Sequence, residues 1–111
     1  MPDIVNAVSR TGKTVRLTAA VWRKIERSHP ELASDANHLD DIRTTVGDPD
    51  YIIEGWAGEL LALRRCRTAP GGPKHLCVVY REMDQDGFII TAFFLSRYER
   101  LLRRTVRWSR S

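Results

Sequence analysis

The sequence predicts an α+β fold, in which two N-terminal helices pack on a four-stranded antiparallel meander sheet, with a short C-terminal helix. Its 111 residues have the size of one domain, so we expect a single domain over 1–111. Two early segments carry apolar residues at helical spacing, whereas β-forming runs separated by short turns follow. The composition, 42% hydrophobic and 29% charged, is typical of a soluble globular protein, and no apolar run approaches the roughly 20 residues of a membrane span.

The N-terminal part predicts an arm, a strand and a helix. Residues 1–12 are interpreted as an N-terminal arm or a short edge strand. Residues 14–17 alternate between polar and apolar side chains, which predicts a short strand. Thr18 can cap a helix whose apolar positions recur at helical spacing, namely Val21, Trp22 and Ile25. Pro30 ends this helix near His29, because the residue before a proline is pushed out of the α region.

A second helix is predicted between two clear boundary signals. Ser34 or Asp35 can cap it, and its apolar face consists of Leu39, Ile42 and Val46. Gly47 lies just past its end and Pro49 follows, which is a typical C-terminal signal.

Four β-rich runs follow the helices: Tyr51 to Glu54, Glu59 to Arg67, Lys74 to Glu82 and Phe88 to Ser96. The turn-forming separators are short, so successive strands are expected to be antiparallel neighbours. Residues 96–99 have the form of a capping box, which predicts a final helix through about Arg104. The two preceding helices must cover one face of the sheet and leave the other partly open to solvent and ligands.

The charge is uneven along the chain. The net charge is +4, and arginines are concentrated in the basic C-terminal tail, 97–111, where Trp108 stands among them. Guanidinium groups suit phosphate and aromatic rings can stack on bases, so the tail is a candidate RNA-binding segment through Arg97, Arg103, Arg104 and Arg107. The alternative is a solvated basic helix face without a ligand.

No motif for a metal is evident in the sequence. Cys66 and Cys77 fall on neighbouring predicted strands without zinc-finger spacing, and we interpret both as buried thiols. His38 and His75 are interpreted as surface residues. With no paired carboxylates and no acidic motif, we expect neither a metal nor another cofactor.

A resemblance to a known family rests on the order of several short motifs. These are Leu17-Thr18, Trp22-Arg23-Lys24-Ile25, Ser28-His29-Pro30-Glu31-Leu32, Pro49-Asp50, Leu61-Ala62-Leu63-Arg64-Arg65 and Gly87-Phe88-Ile89-Ile90-Thr91-Ala92-Phe93. Over about residues 13 to 97 the chain resembles the phage-associated nuclease families grouped with barnase, EndoU, colicin D and RelE-type toxins, the BECR fold.

The resemblance implies a metal-independent ribonuclease with its active site on the open side of the sheet and RNA as its partner. A toxin of this kind would need an antitoxin or immunity protein. The first residues lack the basic-then-apolar signature of a secretory signal, so we expect a cytoplasmic protein.

His29 is the first catalytic candidate, because imidazole titrates near neutrality and a helix end beside a proline places it rigidly. The resemblance supports it through the His-Pro-Glu motif, and the alternative is a capping or partly buried histidine. Lys24 is a second candidate, for phosphate stabilisation, or else a solvated helix residue. The commonest form of the family has histidine where Lys24 stands and a basic residue where Ser28 stands.

The strands supply further candidates. Strand alternation sends Arg64 and Arg65 to opposite faces, so one of them must face away from the helices. The resemblance favours Arg64 for phosphate stabilisation, with Arg65 as the alternate, and Arg81 extends the same cationic surface unless these arginines form cross-strand ion pairs. Thr91 is a candidate to bond the phosphate or orient His29, or is only a good strand former.

Tyr80 is a candidate donor to the leaving group, or it caps the core. Together these residues predict cleavage of RNA by attack of its own 2′-hydroxyl on the adjacent phosphorus. Two alternatives stay open: a non-catalytic nucleic-acid-binding module on the same fold, and a phage-associated protein-interaction domain.

Overall fold

Seven strands form one mixed sheet in the computed structural model, which describes residues 3–110. The strands are β1 (Asp3–Val8), β2 (Thr14–Thr18), β3 (Tyr51–Glu54), β4 (Leu60–Cys66), β5 (Lys74–Glu82), β6 (Asp86–Leu95) and β7 (Val106–Ser109), and the helices are α1 (Ala19–Ser28) and α2 (Asn37–Gly47). The spatial order is β1-β2-β6-β5-β4-β3-β7. No helix among the described residues is long and apolar enough to cross a membrane.

The prediction of a four-stranded antiparallel sheet behind two N-terminal helices is wrong, although the class is α+β. The β3 to β6 meander is present, but β1 and β2 precede the helices and form a hairpin. β2 then pairs parallel with β6, from Thr14 opposite Asp86 to Arg16 opposite Phe88. Residues 3–8, taken for an arm or an edge strand, are the edge strand β1. A parallel pair separated by about seventy residues of chain leaves no local pattern in the sequence.

The helices begin and end where local hydrogen bonds favour it. Thr18 Oγ1 accepts a hydrogen bond from the Val21 N–H at 3.2 Å, which caps α1. Pro30 begins a 3₁₀ helix, Pro30–Ser34, that joins α1 to α2. Asp35 Oδ1 accepts from the Asn37 N–H at 2.9 Å at the start of α2.

The sheet separates two hydrophobic cores. On the helix side, Ile25 of α1 and Ile42 and Val46 of α2 pack on Val78 and Ile89. On the other face, which we call the second face, the core consists of Ile53, Leu61, Leu63, Cys77 and Val79. Alternation along each strand supplies both cores from the same segments.

The second face is covered by the chain's own C-terminal segment. In place of the predicted helix through Arg104 there is a 3₁₀ helix, Glu99–Arg103, which packs Leu101 and Leu102 on the second core. β7 then pairs with β3 at the sheet edge. The residues interpreted as a basic tail are therefore part of the fold.

Candidate functional site

Two adjoining depressions lie on the second face where β3, β4 and β5 meet the segment that follows β6. Their volumes are about 500 and 200 Å³, and they share Arg65, His75 and Tyr98. We call them together the histidine cleft. Its lining comprises Asp50, Tyr51, Arg65, Pro73, Lys74, His75, Ser96, Tyr98, Glu99, Ser109 and Arg110.

Strand register brings the central residues of the histidine cleft together. Arg65 near the end of β4 is the direct antiparallel partner of His75 near the start of β5, so both side chains are on the second face. Tyr98 stacks on His75 with 4.0 Å between ring centroids, and Tyr51 of β3 lies 5.8 Å from Tyr98. Three rings therefore lie in a row beside a guanidinium group.

Burial and neighbouring charges set the protonation of these rings. Desolvation lowers the pKa of His75 below its ordinary value of 6.5, and Arg65 adds to the lowering, whereas the carboxylates of Asp50 and Glu99 oppose it. The neighbouring Tyr51 phenol, followed by desolvation, raises the pKa of Tyr98. At neutral pH the cleft thus pairs a neutral imidazole, able to accept a proton, with a protonated phenol, able to donate one.

The arginines of the cleft differ in whether a carboxylate binds their guanidinium group. Asp50 accepts from the Arg65 backbone N–H at 2.9 Å and from Arg110 Nε at 3.0 Å, and Arg110 also binds Asp48 at 2.5 Å. Arg110 is therefore held in place by two carboxylates. Within residues 3–110 no carboxylate oxygen lies within 4.0 Å of the Arg65 guanidinium, which leaves this exposed group available to an anion.

The structure places Arg64, favoured from the sequence for the ligand face, on the helix side. Its Nη1 donates to the Asp48 carbonyl oxygen at 2.5 Å and to the Asp48 carboxylate at 3.1 Å. The arginine that faces away from the helices is Arg65. Alternation predicted that one of the pair must do so, but the register that decides which one is not visible in the sequence.

His29 and Thr91 lie near the same face as the cleft but not among its lining residues. The His29 ring is 5.5 Å from the ring of Phe93, which packs against the second core. His29 Nδ1 is 3.7 Å from Glu31 Oε1. Thr91 pairs with Val79 on β5, so its side chain shares that face. Lys24 is exposed on α1. Because Arg64 lies on the helix side, the three candidates His29, Arg64 and Thr91 do not share one depression.

The other predicted strand residues belong to a different region. Tyr80 is 1% exposed in the helix-side core, and burial raises its pKa. It lines a cavity of about 280 Å³ in which Glu82 accepts from Ser9 at 2.5 Å and Thr11 at 2.6 Å. Arg81 donates to the Ala57 carbonyl oxygen at 2.8 Å. These contacts are structural.

The predicted RNA-binding arginines divide into two groups. Arg104 donates to the carbonyl oxygens of Glu54 and Gly55 at 2.9 and 2.6 Å, and Arg107 pairs with the Glu54 carboxylate at 2.9 Å. Arg97 and Arg103 are exposed, and within residues 3–110 neither has a carboxylate oxygen within 4.0 Å. Of these four arginines of the C-terminal tail, Arg97 and Arg103 are therefore the two that are free to meet a phosphate.

Sequence reasoning missed three side chains. His75 and Tyr98 form the centre of the cleft, although His75 was interpreted as a surface residue and Tyr98 as part of a helix cap. His38, also interpreted as a surface residue, is 1% exposed. The sequence did show that His75 stands at the start of the strand that follows Arg65. It did not show that the two residues pair, because the pairing depends on the length of the turn between the strands.

Comparison with known proteins gives no match: no family model, no curated protein and no solved structure is significantly similar to this chain. The resemblance to phage-associated nucleases therefore stays a prediction.

Proposed function

We propose that this protein is a metal-independent ribonuclease that binds and cleaves single-stranded RNA in the histidine cleft. The observation that carries the proposal is the stacked pair of His75 and Tyr98, 4.0 Å apart, beside the exposed Arg65. An acceptor and a donor of protons next to an exposed cation are the groups that such a reaction needs.

Each group has a defined part in the reaction. The neutral imidazole of His75 takes the proton of the ribose 2′-hydroxyl as the 2′-oxygen attacks the adjacent phosphorus. The phosphorus–5′-oxygen bond breaks, and the Tyr98 phenol supplies the proton that the leaving oxygen requires. The His75 imidazolium then releases its proton to solvent and the Tyr98 phenolate takes one up, which restores both groups. The products are a 2′,3′-cyclic phosphate and a 5′-hydroxyl.

Arg65 and Lys74 supply the positive charge that the transition state requires, since both line the depressions next to His75. A guanidinium can hold two non-bridging phosphate oxygens at once. Tyr51 and Tyr98 offer ring faces for bases, and stacking of this kind favours unpaired nucleotides.

The test is cleavage of total RNA in EDTA by the wild-type protein and by two matched pairs of variants. His75→Ala should lower the rate at least about a hundredfold, the lower range for a lost general base, whereas His29→Ala should change it little. Arg65→Ala should lower the rate at least about tenfold, whereas Arg64→Ala should not, since Arg64 lies on the other face. Circular dichroism checks that each variant is folded.

Loss of activity in His29→Ala with an active His75→Ala would contradict the assignment to the cleft. Retention on heparin that falls with salt, without cleavage by the wild-type protein, would contradict catalysis and leave a binding module.

A further inference from the structure

Three metal-ligating side chains meet between α2 and the end of β4. His38 and Asp41 lie one turn apart on α2, and Cys66 is the last residue of β4. His38 Nδ1 is 3.0 Å from Asp41 Oδ2, and Cys66 Sγ is 3.7 Å from the same oxygen. One ligand atom of each residue lies within 4.8 Å of the other two.

These separations suit a single zinc ion. Zn²⁺ takes histidine nitrogen, cysteine sulfur and carboxylate oxygen in a tetrahedron, whose ligand atoms are about 3.4 Å apart for bonds of about 2.1 Å. The observed separations of 3.0 and 3.7 Å fall on either side of that value. The third pair, the His38 nitrogen and Cys66 Sγ, is at most 4.8 Å apart. Shifts of about 1 Å therefore bring the three atoms onto one ion.

The imidazole of His38 is buried and is not a solvated surface group. His38 is 1% exposed, and its Nε2 is enclosed without a hydrogen-bond partner. With its proton on Nδ1, the ring buries an unpaired lone pair at Nε2. With its proton on Nε2, that N–H is likewise without a partner, and the Nδ1 lone pair faces a carboxylate oxygen 3.0 Å away. A cation bound between Nδ1 and this oxygen removes the repulsion between them.

The surroundings leave room for a fourth ligand. Cys66 is 7% exposed, whereas the Asp41 side chain is 34% exposed and opens the cluster to solvent. Thr68 Oγ1 lies 3.6 Å from Cys66 Sγ and can hydrogen-bond a water molecule at the fourth position. Three protein ligands and one water are a usual zinc coordination.

We propose that His38, Asp41 and Cys66 bind one Zn²⁺, which ties α2 to β4. The metal-bound form of Cys66 is the thiolate, so binding releases the thiol proton to solvent. Cys66 belongs to the helix-side core and His75 lies on the second face, so this site is independent of the proposed ribonuclease.

The first test titrates Co²⁺, as a spectroscopic substitute for Zn²⁺, into the full-length protein after dialysis against EDTA. We expect one equivalent to give the visible bands of tetrahedral cobalt and a near-ultraviolet cobalt–thiolate band, both displaced by Zn²⁺. Cys66→Ser should abolish the thiolate band. Cys77→Ala is the matched control and should retain it, because Cys77 is buried in the second core, where burial raises its thiol pKa to about 12.

The second test measures thermal stability. It uses a variant of Asp41, so its result does not depend on whether Cys66→Ser folds. Free zinc at about a hundred times Kd should raise the Tm of the wild-type protein and of Cys77→Ala by roughly 10 °C. Asp41→Asn, at a partly exposed position, should lose most of this shift. A missing thiolate band in the wild-type protein, an unchanged band in Cys66→Ser, or an equal Tm shift in Asp41→Asn would each overturn the site.

Discussion

His75 is the side chain on which the proposed chemistry depends, and its environment makes a prediction about pH. Desolvation lowers its pKa, so the folded protein favours the neutral ring. The base is therefore available at neutral pH and is lost only as the pH falls below the ordinary value of 6.5. In the same pH range the lowered pKa of His75 reduces the stability of the folded protein, because the imidazole of the unfolded chain binds the proton more tightly.

We expect the acid limb of the kcat/KM profile to have its midpoint below pH 6.5 and to belong to His75. The measurement is kcat/KM for RNA cleavage from pH 4 to 9, with His29→Ala as the reference. A midpoint above pH 6.5, or one that moves in His29→Ala, would exclude His75 as the base.

Tyr98 has two proposed parts, as a proton donor and as a stacking surface, and two variants separate them. Tyr98→Phe keeps the ring but has no proton to give, so kcat should fall about tenfold or more with KM little changed. Tyr98→Leu also loses stacking worth about 1–3 kcal/mol per base, so KM should increase as well. If Tyr98→Phe keeps its full kcat, the phenol is not the acid.

Single residues also mark the limit of what the sequence could predict. Alternation along β4 predicted that Arg64 and Arg65 face opposite ways, because the side-chain period of a strand is fixed. It could not tell which of them faces the helices, since that depends on pairing with β5. His75 was taken for a surface residue for the same reason.

Within the C-terminal segment, some arginines stabilise the fold and others are exposed and can bind RNA, depending on their position along the chain. The 3₁₀ helix Glu99–Arg103 packs on the second core and β7 pairs with β3. Between them, Arg104 donates to the backbone carbonyl oxygens of Glu54 and Gly55. Its guanidinium also lies over the Trp56 ring at 4.3 Å. Arg97 and Arg103 remain exposed.

Arg104→Ala should lower the free energy of unfolding by about 1–3 kcal/mol, because two carbonyl oxygens lose a charged donor. Urea denaturation followed by circular dichroism measures this change. An unchanged unfolding midpoint would show that these hydrogen bonds add nothing to stability.

Replacing both Arg97 and Arg103 with Ala should leave the unfolding midpoint near that of the wild-type protein and weaken RNA retention. On single-stranded RNA each phosphate that a cation neutralises adds about 0.7 to the slope of log affinity against log salt, so the slope should fall by up to about 1.4. An unchanged slope would remove these two arginines from the RNA-binding surface.

Local elements could be predicted and distant pairings could not. Thr18 and Pro30 bound α1 through interactions within a few residues, which the sequence displays directly. The parallel pairing of β2 with β6 and the pairing of β7 with β3 join distant parts of the chain. The capping-box pattern at residues 96–99 predicted an α-helix, but the segment forms a 3₁₀ helix, from which Leu101 and Leu102 pack on the second core.

Residues 3–110 are organised as one sheet with a core on each face. Arg10, in the turn between β1 and β2, lies over the Trp108 ring of β7 at 4.0 Å, so the two edges of the sheet approach each other. The C-terminal segment closes the second core and at the same time supplies Tyr98 to the histidine cleft. Stability and the proposed activity therefore depend on the same segment.

Removal of residues 96–111 should leave Ile53, Leu61 and Leu63 without their cover and expose the edge of β3. We expect the shortened protein to aggregate, or to lose its cooperative thermal transition and bind a hydrophobic dye. A cooperative transition at the wild-type Tm would show that the second core is stable without the segment.

The most direct test of the proposed ribonuclease compares a randomised oligoribonucleotide with its fully 2′-O-methylated counterpart, in EDTA, with mass analysis of the product ends. Attack by the 2′-oxygen predicts cleavage of the ribose strand alone, with 2′,3′-cyclic phosphate and 5′-hydroxyl ends, and no cleavage above background by His75→Ala. Cleavage of the 2′-O-methylated strand, or equal cleavage by His75→Ala, would contradict the proposed chemistry of the histidine cleft.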